Sequence, residues 1–164
     1  MAIIASKPPP PGAPASGGKF YKIRPLKRSD RDAAFKLLAE DGWEVNAADQ
    51  ETAISWIVQH PEMESFVAHD AASFSRLFGF ITMSHRPQLR VAGRVACIDA
   101  FAIAPEQRHK GIGVDLLENV LRRAEALGCK RMEIALRGVR DGRHDFFEKH
   151  GFVKSGVELF VLKK

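Results

Sequence analysis

The sequence has few cysteines and no long apolar run, and each shortage excludes a class of protein. Its two cysteines, Cys97 and Cys129, are widely separated and form neither a paired metal-binding motif nor a disulfide framework. We therefore expect no bound metal and two reduced, buried thiols. No apolar stretch approaches the roughly 18 residues that span a membrane, and residues 1–6 lack the charged lead of a secretory signal. These absences predict a cytoplasmic protein with no membrane segment.

Composition predicts one ordinary domain preceded by a tail. Hydrophobic residues make up 45% of the 164 residues, which is enough for the core of a single domain at residues 19–164. Residues 1–18 are rich in proline and glycine and have little apolar content after Ile4, so we expect them to be disordered.

The net charge of +5 suits an anionic cofactor or nucleic acid. The basic residues are spread along the chain, few aromatic residues lie among them, and no nucleic-acid-binding motif is present. We therefore favour an anionic cofactor over nucleic acid.

Apolar periodicity predicts an α/β fold, of the α+β kind with a mixed sheet and flanking helices. Strands are expected at residues 19–25, 65–69, 77–84, 94–104, 131–136 and 157–162. Helices are expected after Ser29 and at residues 49–59, 114–127 and 141–150. The two strands at 65–69 and 77–84 should pair antiparallel, whereas a strand–helix–strand unit follows them.

The segment Arg-His-Lys-Gly-Ile-Gly at residues 108–113 is the most informative in the chain. It lies between an apolar run and an amphipathic helix, and its two glycines allow a tight turn. The first N–H groups of the helix that follows have no intrahelical partner and favour an anion such as phosphate. Arg108 can bind two phosphate oxygens at once. An ordinary tight turn is the alternative, and a dinucleotide-binding loop fits less well because residue 116 is leucine.

Two blocks of the sequence resemble the GNAT superfamily of acyl-CoA N-acyltransferases. Residues 108–113 resemble its Arg-x-x-Gly-x-Gly pyrophosphate loop, and residues 144–152 resemble a His-x-Phe-Tyr-x-x-x-Gly-Phe element that closes the acyl-CoA cleft. The resemblance covers residues 21–162 and is strongest from Ile98 onward. It implies the GNAT fold, in which the central parallel strands splay apart to admit the pantetheine arm. It also implies acetyl-CoA as co-substrate and an amine as acceptor, and it is compatible with a homodimer.

The resemblance also implies which residues bind the cofactor. The strand residues that would pair with the pantetheine amides are Phe101, Ala102 and Ile103. The residues that would hold the pyrophosphate are Arg108, His109, Lys110, Gly111, Ile112, Gly113 and Val114. Phe147 would pack against the acyl-CoA arm, at the position where the family motif has a tyrosine that protonates the leaving thiolate.

Two residues are candidates for proton transfer. Asp99 lies in an otherwise apolar strand, where a carboxylate is costly unless it is solvated, paired or used. It is our candidate general base, while a structural carboxylate or an anchor for the substrate ammonium are together equally good interpretations. His144 is a candidate proton shuttle, although a capping or packing histidine fits its motif position at least as well.

The acceptor site is the least determined part of the sequence. Trp43 and Glu44 could meet a cationic amine through an aromatic face and a carboxylate. The resulting hypothesis is an N-acetyltransferase that moves an acetyl group from acetyl-CoA to a primary amine. A non-catalytic acyl-CoA-binding module is the alternative, because phenylalanine at 147 cannot donate a proton.

Overall fold

The computed structural model describes residues 19–136, 141–157 and 162, together with the backbone of residues 2–5. The described strands are β1 (Ala2–Ala5), β2 (Tyr21–Pro25), β3 (Met63–Asp70), β4 (Ser73–Gln88), β5 (Gly93–Ile103), β6 (Cys129–Ala135) and β7 (Phe152–Lys154). The described helices are α1 (Arg31–Glu40), α2 (Ala47–Gln59), α3 (Ile112–Ala126) and α4 (Gly142–Lys149).

The described strands form one mixed sheet in the order β2-β3-β4-β5-β6-β1-β7. Strands β2 to β5 pair antiparallel in sequence order, and β5 pairs parallel with β6 across the α3 crossover. The predicted α/β fold with a mixed sheet is confirmed. The predicted antiparallel pair is present as β3 and β4, both of which are longer than the sequence pattern indicates.

Strands β5 and β6 separate before β5 ends. Their parallel pairing runs from Arg94 opposite Cys129 to Ile98 opposite Ile134. Beyond that point, β5 continues to Ile103 and remains paired with β4 on its other edge. Among the described residues, no strand therefore pairs with the edge of β5 that faces β6 over residues 99–103, and a gap forms between the two strands.

The N-terminal segment corrects the predicted disordered tail. Ala2–Ala5 forms β1, which pairs antiparallel with both β6 and β7. Its consecutive isoleucines at 3 and 4 favour a strand, and pairing satisfies an edge of β6 that would otherwise be open. Residues 6–18 lie outside the described residues, as does most of the strand predicted at 157–162.

Each face of the sheet carries its own apolar core. On one face, α3 buries a stripe of side chains against the sheet, namely Ile112, Leu116, Leu117, Val120, Leu121 and Ala124. On the other face, α1 and α2 pack over the residues Leu26, Val67, Leu77, Phe80, Ala102 and Ala104. Among the residues that the structure describes, no helix has both the length and the apolar character needed to cross a membrane.

Candidate active site

The loop between β5 and α3 has the backbone shape of an anion-binding site. His109 and Gly111 have positive φ angles of 62° and 85°, so the chain turns twice before the helix starts. The Asp115 N–H bonds back to the Gly111 carbonyl at 3.1 Å, which leaves the preceding N–H groups of α3 without helical partners. These donors lie at the positive end of the helix dipole, where a phosphate is favoured.

A cleft of about 610 Å³ extends from this loop along the open edge of β5. The predicted cofactor-binding residues that line it are Phe101, Ala102, Ile103, Arg108, His109, Gly111, Gly113 and Val114. Lys110 and Ile112 are not among its lining residues: the Lys110 Nζ donates to the Gln107 side chain at 3.2 Å, and Ile112 is buried in the core. The structure thus brings most of the predicted residues together at one cleft.

Phe146, and not the predicted Phe147, lines this cleft. The Phe101 and Phe146 rings stack with centroids 5.5 Å apart, and Gly113 lies directly against them. A Cβ at residue 113 would come within 3.2 Å of the Phe101 ring, so glycine keeps the loop close to the aromatic pair. The motif contains two adjacent phenylalanines, and the sequence alone does not show which of them faces the cleft. The orientation of α4 places Phe146 at this cleft and Phe147 at another cavity.

Asp99 lies at an irregularity in the pairing of β5 with β4. In the pairing with β4, Thr82 is opposite Ala100 and Met83 is opposite Ile98, so Asp99 is an additional residue in β5. Ile98 and Phe101 consequently pack in the same core although they are three residues apart. The positions of Asp99 and Phe101 thus depart from the regular two-residue alternation of a strand. Asp99 lines a second cavity, which lies beside the cleft at the anion-binding loop.

Asp99 is partly enclosed by the cavity and remains accessible to solvent. Burial raises the pKa of the Asp99 carboxyl, although hydrogen bonds from Ser84 and Cys97 oppose that change. The Ser84 hydroxyl donates to Asp99 Oδ1 at 3.1 Å. A carboxylate whose pKa is raised towards neutrality accepts a proton more readily at physiological pH.

The second cavity has a volume of about 260 Å³ and lies in the gap between β5 and β6. Trp43 and Phe147 line it, whereas Glu44 is exposed and is not one of its lining residues. Phe147 is fully buried, and its ring packs against Phe101, Phe146 and Phe152. Of the predicted acceptor residues, the structure therefore places Trp43 at the cavity and leaves Glu44 outside it.

An ion-pair network that the sequence analysis missed lies where the two cavities meet. Arg143 Nη1 is 2.7 Å from Asp41 Oδ2, and Arg143 Nε is 3.1 Å from Asp141 Oδ2. Arg108 Nη2 approaches the other Asp41 oxygen at 3.8 Å. Asp41, Asp141 and Arg143 line both cavities. They join the end of α1 to the start of α4 and cross the gap in the sheet.

His144 and Tyr21 each have a structural hydrogen-bond partner. The Asp141 N–H donates to His144 Nδ1 at 3.1 Å, and the Arg143 N–H donates to the Asp141 carboxylate, which completes a capping box at the start of α4. The Tyr21 hydroxyl donates to Asp115 at 2.7 Å, beside the anion-binding loop. Neither side chain lines either cavity.

Comparison with known proteins agrees with this geometry. The chain is 39% identical over 67 residues to an amino-acid acetyltransferase of Azotobacter vinelandii, and this match covers 41% of the chain and 14% of that protein. Glucosamine-6-phosphate N-acetyltransferase from Arabidopsis thaliana superposes with a TM-score of 0.73 at 18% identity, covering 89% of this chain and all (100%) of that one. A transcriptional regulator from Bacillus halodurans superposes with a TM-score of 0.77 at 20% identity, covering 88% and 99% of the two chains.

The similarity to these solved structures, at 18% and 20% identity, establishes the fold alone. The family is established by a match to a family model. The model of the acetyltransferase (GNAT) family matches residues 30–152, which include α1, the open edge of β5, the anion-binding loop and α4. The chain therefore belongs to the acetyltransferase (GNAT) family.

Proposed function

We propose that this protein transfers an acetyl group from acetyl-CoA directly to a primary amine. The observation that supports the proposal is the junction of the two cavities at Phe101, with the anion-binding loop at one end and Asp99 at the other. The loop suits the pyrophosphate, and the unpaired edge of β5 suits the amides of the pantetheine arm, which would pair with it as an additional strand.

Asp99 acts as the general base in this proposal. An alkyl ammonium with a pKa near ~10 is almost fully protonated at neutral pH and must lose a proton before it can attack. Asp99 takes that proton directly or through a water molecule. The nitrogen then bonds to the thioester carbonyl carbon, the C–S bond breaks, and the products are the amide and the free thiol of coenzyme A.

The leaving sulfur takes its proton from water in this scheme. Phe147 has no hydroxyl, and Tyr21 is bound to Asp115 at the pyrophosphate end of the cleft. A thiol with a pKa near ~8.5 is a fairly good leaving group, so a dedicated acid is not required.

Direct transfer of the acetyl group to the amine predicts that no cysteine is acylated during the reaction. Burial, together with the nearby Asp99 carboxylate, raises the pKa of the Cys97 thiol to about 11, so it stays protonated and is a poor nucleophile at neutral pH. We expect the Cys97→Ala variant to retain nearly the full turnover of the wild-type protein. Steady-state kinetics with acetyl-CoA and an amine would check this, and loss of turnover with a radiolabelled acyl-cysteine in the wild type would contradict direct transfer.

Thermal-shift titration tests the cofactor assignment. A ligand at a hundred times its Kd stabilises a fold by roughly 2.7 kcal/mol, which raises Tm by about 5–10 °C at this size. We expect acetyl-CoA and CoA to produce such a shift and ATP to produce little. The Arg108→Ala, Gly111→Ala double variant should lose it, because a guanidinium and a left-handed glycine are removed from the loop.

The matched control is Arg122→Ala, which makes the same change of charge at an exposed position on α3. This variant should keep the full shift. No stabilisation of the wild-type protein at millimolar acetyl-CoA would contradict the proposed donor.

A further inference from the structure

We infer that the acceptor is a small primary amine with an apolar body and no carboxylate or phosphate group. This inference rests on the proposed function and concerns the cavity that contains Asp99. It is carried by the shape of that cavity, by its apolar walls and by the distribution of charge among its lining residues.

The walls of the cavity are mainly apolar. Its apolar lining residues are Leu38, Trp43, Val45, Ile98, Ala100, Phe101, Ile134, Ala135, Leu136 and Phe147. The volume of about 260 Å³ is just below the roughly 300–1,000 Å³ of typical ligand pockets, so the acceptor is small. Burying apolar surface of an acceptor against these walls favours binding, whereas a sugar would leave its hydroxyl groups without partners.

The charged lining residues favour a cation next to Asp99. Among the described residues that line the cavity, three are aspartates and one is a guanidinium: Asp41, Asp99, Asp141 and Arg143. Arg143 is held by Asp41 at 2.7 Å and by Asp141 at 3.1 Å. Asp99 accepts hydrogen bonds from Ser84 and Cys97, and Arg86 acts on it electrostatically, but among the described residues no cation forms an ion pair with it. An ammonium group is therefore attracted towards Asp99, where the proposed reaction needs its nitrogen.

The same network disfavours an anionic acceptor. A carboxylate or phosphate would have to share Arg143 with Asp41 and Asp141, which already hold its Nη1 and Nε atoms and offset its charge. The incoming anion would also lie near Asp99 and Asp141, which repel it. Amino acids and sugar phosphates are consequently poor fits, whereas an aryl-alkyl or alkyl amine meets both the walls and the carboxylate.

A matched series of acceptors tests the inference. The kcat/KM should be measured by CoA release with 2-phenylethylamine, phenylalanine and phenylalanine amide, and with glucosamine 6-phosphate and ethanolamine. We expect 2-phenylethylamine to exceed phenylalanine by on the order of 100-fold, because a carboxylate near other carboxylates is strongly disfavoured. Phenylalanine amide, which has the same shape without the charge, should recover most of that loss.

The two tryptophans of the chain provide matched variants. Trp43 lines the cavity, whereas Trp56 is on α2, is 71% exposed and is not one of its lining residues. Trp43→Ala should raise the KM for 2-phenylethylamine by about tenfold, since even one methylene group in a hydrophobic pocket is worth roughly 10-fold to 200-fold in discrimination. It should alter the KM for ethanolamine much less. Trp56→Ala should leave both values unchanged.

The outcomes separate the inference from the proposed function. A preference for phenylalanine, glucosamine 6-phosphate or a lysine in a peptide would overturn the inference while acetyl transfer to an amine stands. Acetyl-CoA stabilisation without turnover of any apolar amine would also overturn it. If the protein neither binds acetyl-CoA nor acetylates any amine, the proposed function itself fails.

Discussion

Replacing Asp99 with asparagine is expected to lower the kcat for acetyl transfer by about 100-fold to 10,000-fold, the range of a general base. Asparagine has nearly the same shape and keeps a hydrogen-bond acceptor for Ser84, but it cannot take a proton from the ammonium. Acetyl-CoA binding, measured by thermal shift, should be unchanged because Asp99 does not line the cofactor cleft. A raised KM for the amine with an unaltered kcat would indicate an anchor for the ammonium instead.

The pH profile of this reaction gives a sharper test. The base works only when it is deprotonated, so kcat should fall as pH falls through the pKa of Asp99, which burial raises above the ordinary aspartate value. Arg86 and Cys97 are the titratable neighbours that influence this pKa. The asparagine variant should lose this acidic limb.

The control for the pH profile is Ser84→Ala, which removes a hydrogen bond that lowers the pKa of Asp99. Its acidic limb should move to higher pH while most of the maximal rate remains. A rate and pH profile that are the same in Asp99→Asn as in the wild type would remove Asp99 from catalysis.

Replacing Asp30 with alanine is expected to lower the free energy of unfolding by roughly 3 kcal/mol, because it leaves the Arg24 guanidinium, which is only 14% exposed, without its carboxylate partner. Asp30 is 4% exposed and binds Arg24 through two hydrogen bonds of 2.7 and 2.8 Å. It also accepts the Lys27 N–H at 2.9 Å, immediately before α1. Denaturant unfolding at pH 7 measures the effect.

The dependence of this effect on pH follows from the direction of the pKa shift. Burial alone would raise the pKa of the Asp30 carboxyl, but the Arg24 guanidinium and the Lys27 N–H outweigh burial and lower it. The stabilisation is therefore complete above the unfolded-state pKa of about 3.9 and is lost as pH falls through the lower folded-state pKa. The difference between wild type and Asp30→Ala should shrink below about pH 4.

Asp32→Ala is the matched control for this prediction. Asp32 is two residues after Asp30, in the first turn of α1, but its side chain is 83% exposed and its ion pair with Arg31 is on the surface. Such a pair contributes on the order of 0–1 kcal/mol. Equal losses from the two variants would show that burial of the Asp30 pair has no special role.

Local signals in the sequence were sufficient for the anion-binding loop and for α3. The glycine at 111 adopts a positive φ angle, and the N–H groups at the start of a helix lack partners wherever the helix occurs. The buried stripe of α3 follows the helical period, although Val114 faces the cofactor cleft instead of the core. These features depend on residues close together in the chain, so their pattern could be recognised without the fold.

The second cavity could not be assembled from the same signals. Asp41 and Arg143 are 102 residues apart and meet only because α1 and α4 border the same gap in the sheet. The additional residue at Asp99 depends on the register between β4 and β5, which no local period reveals. Trp43 lines the cavity, whereas the adjacent Glu44 is exposed and is not one of its lining residues, a difference that the sequence pattern does not show.

The sequence by itself therefore determined the tight loop at residues 108–113, the helix that follows it and the family, because glycine conformation and helix ends are local properties of the chain. Tertiary structure decided where β5 and β6 separate, which phenylalanine faces which cavity, and that β1 fills the edge of β6. It also decided that Arg143 forms ion pairs with Asp41 and Asp141. The physical reason is that pairing register and ion pairs between distant residues are set by the packing of the whole sheet.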